Sequence, residues 1–234
     1  MGDGASSGGA ARSSLRPILA ILLLALGLCS LASAWDFSLI GRRAEQLYGM
    51  QSSGRENLDA WQRLLHEQGS AGELEKLQAV NRFFNLRLRF HDDSELWHVR
   101  DYWATPVEAL YKGAGDCEDF AIAKYVSLRL LGIPAAQLRL IYVRARIGGP
   151  RSGHSQAHMV VGYFPAPGAE PLLLDNLIGE IRPASRRPDL FPVFSFNGEG
   201  LWVGGELAAD PSARLSRWRD VLDRMQREGL QFNP

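Results

Sequence analysis

The stretch Ala157-His158-Met159-Val160-Val161-Gly162-Tyr163-Phe164-Pro165-Ala166-Pro167-Gly168-Ala169-Glu170-Pro171-Leu172-Leu173-Leu174-Asp175-Asn176-Leu177 decides the architecture. Two apolar runs, 157–164 and 171–177, flank a Pro-Ala-Pro-Gly turn, which is the pattern of an antiparallel β-hairpin. If Pro165–Gly168 is the loop, Phe164 faces Ala169, and counting outward sets His158 opposite Asp175 and Val160 opposite Leu173. Directly opposed residues share a sheet face with Cβ atoms about 4.5–5.5 Å apart. A slip of two would keep them on one face as diagonal neighbours. Met159, Val161, Leu172 and Leu174 fill the other face, so the hairpin is expected to be central and covered on both sides. A carboxylate in such a strand is costly unless it is paired, and a His158–Asp175 hydrogen bond would satisfy both groups.

Working outward, Leu138 to Arg146 alternates apolar and basic residues and reads as a third strand, followed by a Gly148–Gly153 loop. Cys117 to Leu131, rich in Ala, Leu and Ile, reads as a helix stopped by Gly132 and Pro134. The turn Gly113-Ala114-Gly115-Asp116 precedes it, with Asp116 as N-cap. Thr105-Pro106 opens a short helix through Tyr111. Glu56 to Glu67 is amphipathic, with Leu58, Trp61, Leu64 and Leu65 on one stripe, and Gly69 ends it. Ser70 to Leu86 reads as a further helix with Leu74, Leu77, Val80, Phe83 and Phe84 inward and a Ser70/Glu73 capping box. The stretch His91–Trp103 has no clear pattern. Beyond Leu177 lies an irregular Pro- and Arg-containing stretch, then an amphipathic helix from Ser212 to Arg227. Helices precede strands, so the class is α+β.

Composition excludes several functions. The chain has 234 residues, 46% of them hydrophobic, enough for a real core. Lys plus Arg and Asp plus Glu both number 26, and a net charge of zero argues against broad nucleic-acid binding. Two cysteines cannot build a disulfide scaffold or a four-cysteine zinc site. Arg12 and Arg16 precede an apolar run of 14 residues, Ile18–Leu31, and then Ala32-Ser33-Ala34. That is a secretory signal with a cleavage site, shorter than the roughly 20 residues that span a bilayer. The expected organisation is therefore a signal peptide at 1–34 and one domain at 35–234, with retention as an anchor the alternative. Cleavage removes Cys29 and leaves Cys117 as a lone thiol in an exported protein, where free thiols are unusual. It is either a nucleophile or a buried inert thiol.

Its neighbours decide. At the first position of a helix, Cys117 lies at the positive end of the helix dipole, which favours a thiolate. Nearby backbone N–H groups, its own among them, are candidates to hold an oxyanion. A nucleophile needs a base and an orienting group. Of five histidines, His66 and His154 read as solvated, and His91 and His98 lie in the unassigned stretch. His158 has a carboxylate opposite it, so Cys117, His158 and Asp175 form a candidate triad. Trp103 is a weaker candidate for the cleft wall. Asp116, Glu118 and Asp119 raise the thiol pKa. They serve either as helix-terminal capping, which spacing alone favours, or as ligands to a hard cation such as calcium.

Trp103-Ala104-Thr105-Pro106, Gly113–Asp119, Ala157-His158-Met159-Val160, Leu174-Asp175-Asn176-Leu177 and Phe194-Ser195-Phe196-Asn197-Gly198-Glu199-Gly200 resemble the bacterial transglutaminase-like cysteine proteinases, in particular the LapG type. The resemblance covers nearly all of 35–234. It implies a papain/transglutaminase-like fold, with the helical N-terminal part packed on a small antiparallel sheet. It implies a Cys-His-Asp triad at Cys117, His158 and Asp175. It implies a calcium requirement with ligands at Asp116, Glu118 and Asp119, reversing the preference for capping. It further implies a periplasmic endopeptidase that cuts a large LapA-type adhesin near its N-terminus, at a paired-alanine site. Such cleavage releases biofilm cells, and a LapD-like inner-membrane receptor sequesters the protease when cyclic diguanylate is high. Two rivals stand beside that reading: acyl transfer to an amine by the same triad, and a non-catalytic peptide-binding module.

Overall fold

The computed structural model describes residues 1–2, 4, 36–49, 52–149, 151–210 and 214–231. The signal-peptide reading falls outside the described residues. A compact unit begins at Asp36.

Among the described residues seven α-helices and nine strands follow in order: α1 Phe37–Tyr48, α2 Ser52–Glu67, α3 Glu73–Arg87, β1 Arg89–Phe90, α4 Asp93–Leu96, α5 Pro106–Lys112, β2 Ala114–Gly115, α6 Cys117–Leu130, β3 Leu138–Arg146, β4 Ser155–Tyr163, β5 Leu172–Leu174, β6 Arg182–Pro183, β7 Leu190–Phe196, β8 Leu201–Val203, β9 Glu206–Ala209 and α7 Ser216–Arg227. Seven strands form one antiparallel sheet in the order β6-β5-β4-β3-β7-β8-β9. Most of the helices precede the sheet, as the α+β reading expects.

Helix α6 is the centre. Phe120 to Leu128 are all buried, and a helix apolar nearly all round belongs in an interior. It packs on β4 and β3 on one side and on α3 and α5 on the other. Trp61 of α2 is fully buried, and its indole N–H donates to Ser127 Oγ at 2.8 Å. Leu58, Leu64 and Leu65 are buried beside it as the stripe requires.

Four expectations need correction. The β4–β5 register pairs Val161 with Leu174, Gly162 with Leu173 and Tyr163 with Leu172, a slip of two from the count. Proline is the cause: Pro165, Pro167 and Pro171 have no N–H to close rungs near the turn. Phe164 N–H stays on the β3 side, donating to Gln137 O at 2.8 Å, and the loop widens to 164–171. Asp175 thereby falls just past the end of β5. Helix α3 starts at Glu73 with Gly72 as N-cap and no side-chain cap, not with a Ser70/Glu73 box. Leu74 lies on the flank of the buried stripe and is 55% exposed, whereas Leu77, Val80 and Phe84 are fully buried. The stretch after Leu177 is not irregular: it supplies β6 to β9. Pro192 hid β7, and it sits where the β3–β7 register shifts between Tyr142 and Val143, a position that tolerates a missing donor. The last helix is described from Ser216.

Candidate active site

Three local structures bring the thiol into place. Thr105 and Glu108 form a capping box at the start of α5, with Pro106 in its first turn. Gly113 ends α5 at φ 64°, a conformation that favours glycine. β2 then pairs in parallel with β1, matching Arg89 to Ala114 and Phe90 to Gly115. A Cβ on Gly115 would lie 2.6 Å from Asp119 Oδ2, so only glycine lets the chain pass that close. Asp116 is the N-cap of α6 and Cys117 its first residue.

Cys117 opens onto a cleft of about 920 Å³ that Asp116, Glu118, Gln156, Ala157, His158 and Asn176 help to line. Its thiol donates to Glu118 Oε2 at 2.9 Å. Burial first, then the Glu118 charge, push the thiol well above its usual range, while the Met159 backbone N–H on the sulfur acts the other way. His158 and Asp175 are each 1% exposed. His158 Nε2 and Asp175 Oδ1 lie 2.7 Å apart, so the expected bond is present despite the register slip, and Nδ1 is the ring nitrogen left over.

Asp175 is held from several sides. Leu177 N–H donates to Oδ1 at 3.0 Å, and Arg187 Nη1 donates to Oδ2 at 2.7 Å. Asn85 Nδ2 takes its carbonyl at 2.8 Å. Burial alone would raise the carboxyl pKa, but the bonds from His158, Leu177 and Arg187 outweigh it and hold the pKa down at about 2. Arg187, itself 4% exposed and paired to Asp189 through Nη2 at 2.7 Å, was missed in the sequence. The signal available was that a buried carboxylate has two oxygens to satisfy, and His158 satisfies one. Lys124 of α6 is 1% exposed, with Nζ lacking a hydrogen-bond partner. Burial lowers it to about 7, against the pull of the Asp175 charge.

The acidic residues divide. Asp116 and Glu118 lie beside Cys117, while Asp93, Asp116 and Asp119 offer carboxylate oxygens within 4.8 Å of one another. Asp119 is fully buried; Oδ1 accepts from Ala104 N–H at 2.7 Å and Oδ2 from Asp116 N–H at 3.2 Å. Asp93 Oδ2 accepts from Tyr102 N–H at 2.5 Å. Burial, then neighbouring carboxylates, raise Asp116 to about 10. For Asp93, burial outweighs the Tyr102 bond and raises it to about 6. Asp119 is also raised well above its ordinary value, mainly by burial. Asp93 Oδ1 and Asp116 Oδ1 are buried without partners. Oxygen donors converging with orphaned lone pairs fit a hard cation and are more than capping requires. Asp93 came from the unassigned stretch; the β1–β2 pairing that delivers it is long-range and leaves no local pattern.

Trp103 is not on the cleft wall. It is 7% exposed and stacks on Phe196 at 5.8 Å, lining a neighbouring depression with Tyr142 and Phe194. His66, His98 and His154 are exposed, and His91 is half-buried near Glu95.

Residues 57–191 match the family described as bacterial transglutaminase-like cysteine proteinase. Among solved structures the chain is similar to Legionella pneumophila LapG, with 38% identity, 81% of this chain and 97% of that chain covered, and a TM-score of 0.69. An EGTA-treated Legionella pneumophila LapG aligns at 38% identity over the same shares, with a TM-score of 0.70. A calcium-bound one aligns at 38% identity, covering 81% of this chain and 98% of that chain, with a TM-score of 0.68. No curated protein matches.

Proposed function

The chain belongs to the bacterial transglutaminase-like cysteine proteinases, and on that footing we propose that it is a periplasmic, calcium-dependent endopeptidase with Cys117, His158 and Asp175 as its triad. The observation that carries this is the buried 2.7 Å His158–Asp175 bond in the cleft that the Cys117 thiol enters from a helix start. Cys117 attacks the scissile carbonyl, and His158 Nδ1 takes the thiol proton. The imidazolium then gives that proton to the leaving amine, and water hydrolyses the thioester. Asp175 holds the ring in one tautomer and offsets its charge. The Cys117 N–H is the candidate oxyanion donor.

Asp93, Asp116 and Asp119 would hold the calcium, with Glu118 beside them. When bound, the ion supplies positive charge that offsets the carboxylates raising the thiol pKa. The similarity to LapG in calcium-bound and EGTA-treated forms supports this part. The substrate class is a large LapA-type surface adhesin, cut near its N-terminus to release biofilm cells. A LapD-like inner-membrane receptor is the partner that sequesters the enzyme. Support for both is the likeness to LapG-type proteases; support for export is the leader read at residues 12–34.

Incubation with the N-terminal region of the organism's large adhesin should give two fragments on a gel with calcium and none with EGTA. Cys117→Ala should give none in either. Cleavage by Cys117→Ala at the wild-type rate would falsify the nucleophile. An amine adduct in place of a free carboxylate, when an amine is added, would move the reading to acyl transfer.

A further inference from the structure

One edge of β4 borders the cleft that holds Cys117 and is left open for part of its length. β3 pairs with all nine residues of β4, from Leu138↔Tyr163 to Arg146↔Ser155. On the other side β5 pairs only with Val161, Gly162 and Tyr163. After Leu174 the chain turns off: Leu177 N–H closes on Asp175 Oδ1, and Asn85 Nδ2 donates to the Asp175 carbonyl. No described strand pairs with that side of β4 between Ser155 and Val160.

Backbone direction along β4 follows from its ends. His154 O accepts from Ile147 N–H, and Phe164 N–H donates to Gln137 O, so the even-numbered residues point their backbone groups to the β3 side. Backbone groups alternate along a strand, so Ser155, Ala157 and Met159 point to the open side. The Met159 N–H, the next rung beyond the Val161–Leu174 pair, meets the Cys117 sulfur. The nucleophile thus sits at the ladder position that a longer β5 would have filled. Beyond it no described strand pairs with the Ala157 and Ser155 rungs, and Ser155, Gln156 and Ala157 are exposed. From Met159 to Ser155 this edge runs about 14 Å, at about 3.4 Å per residue. Gln156 and Ala157 line the same cleft as Cys117.

We propose that the edge of β4 from Ser155 to Met159 is the substrate-binding edge, on which an extended polypeptide segment adds as an extra strand, hydrogen-bonds to the N–H and C=O of Ala157 and is thereby carried with its scissile carbonyl to Cys117. This rests on the protease reading and gives its substrate a physical class: an unfolded segment of peptide backbone, recognised first by its amide groups. Strand addition to an open edge derives affinity from main-chain bonds whatever the side chains are. A folded surface cannot enter the lane, and a segment without amide hydrogens can only accept from it, leaving the edge carbonyls unpaired.

The test uses the full chain with calcium and three reagents that alkylate Cys117, followed by intact mass. Iodoacetamide carries no peptide backbone. Tetra-alanyl chloromethyl ketone carries one with minimal side chains. Its counterpart with every internal amide N-methylated keeps the warhead but loses the donors. On the wild-type protein, the tetra-alanyl reagent should react roughly tenfold or more faster than the N-methylated one, the effect of losing about two net hydrogen bonds. Ala157→Pro removes the edge N–H without touching the β3 ladder; both peptide reagents, normalised to iodoacetamide, should react more slowly with it than with the wild-type protein. Equal rates for the two peptide reagents on the wild-type protein overturn the proposal by themselves, whatever the variant does. The protease reading is scored separately: iodoacetamide reacting equally with wild type and His158→Ala would remove the imidazole-assisted thiol, whichever way the peptide ratio falls.

Discussion

Asp175 shows how much one position requires. Its two oxygens receive His158, Leu177 N–H and Arg187, and its carbonyl receives Asn85. Because Asp175 lies past the strand end, backbone pairing does not orient it, and Arg187 takes over that task. Arg187→Met should leave Oδ2 buried and unpaired. A charge-assisted bond of this kind is worth about 1.5–3 kcal/mol, or roughly 10- to 150-fold. We expect kcat to fall by about that factor while Cys117 still reacts with iodoacetamide. Arg187→Lys should recover only part, since a single ammonium cannot span both Asp175 and Asp189 as the guanidinium does. Wild-type kcat in Arg187→Met would show that His158 and Leu177 suffice.

At the scale of the element, α6 does two jobs that conflict. Its start carries the thiol and acidic residues; its body is the centre of the core. Lys124 stands at the junction, buried, with no hydrogen-bond partner for Nζ and the Phe120 ring 5.8 Å away. Its folded-state pKa, about 7, lies below the ordinary value of 10.5. The unfolded chain therefore binds the extra proton between those values, and this group adds stability as pH rises from about 7 towards 10. Lys124→Met keeps the stem and removes the amine. We expect it to raise stability in urea at pH 7 by about 1–3 kcal/mol, the cost of an unpaired buried polar group, and to remove that rise with pH. A loss of stability would mean that the Asp175 charge needs the lysine.

At the scale of the whole molecule, distant segments converge on the acidic cluster. Tyr102 and Ala104 N–H groups bond Asp93 and Asp119, and Arg224 of α7 donates to the Trp103 carbonyl between them at 2.5 Å. Arg224 also pairs with Glu108 of α5. The cluster has a predictable pH signature. Asp93 at about 6 and Asp116 at about 10 both lie above the ordinary 3.8. The folded, calcium-free protein therefore holds protons that the unfolded chain has lost, and these groups make it less stable as pH rises from about 4 through 6 towards 10. Calcium should reverse this, because an ion that binds only the native carboxylates stabilises by mass action. Calcium should thus raise Tm more at pH 8 than at pH 5, and Asp93→Asn should shrink the gain. An equal gain at both pH values, or none, would remove the ion from this site.

Local pattern carried the parts that local physics governs. The α6 boundaries, the Asp116 cap, the Thr105-Pro106 helix start and the buried stripe of α2 were legible because capping, proline and periodicity act within a few residues. His158 and Asp175 could be matched because sheet parity survives a slip of two, so an error in loop length did not move them to opposite faces. What required the tertiary structure is long-range or proline-masked. Asp93 joins Asp116 through a parallel β1–β2 pair from a stretch with no periodicity. Arg187 reaches Asp175 from beyond β6, and β7 is obscured by Pro192 at a register shift. The open edge of β4 exists only because β5 stops after three residues. A sequence shows where chain can pair, whereas which edge stays unpaired depends on how all the strands share the sheet.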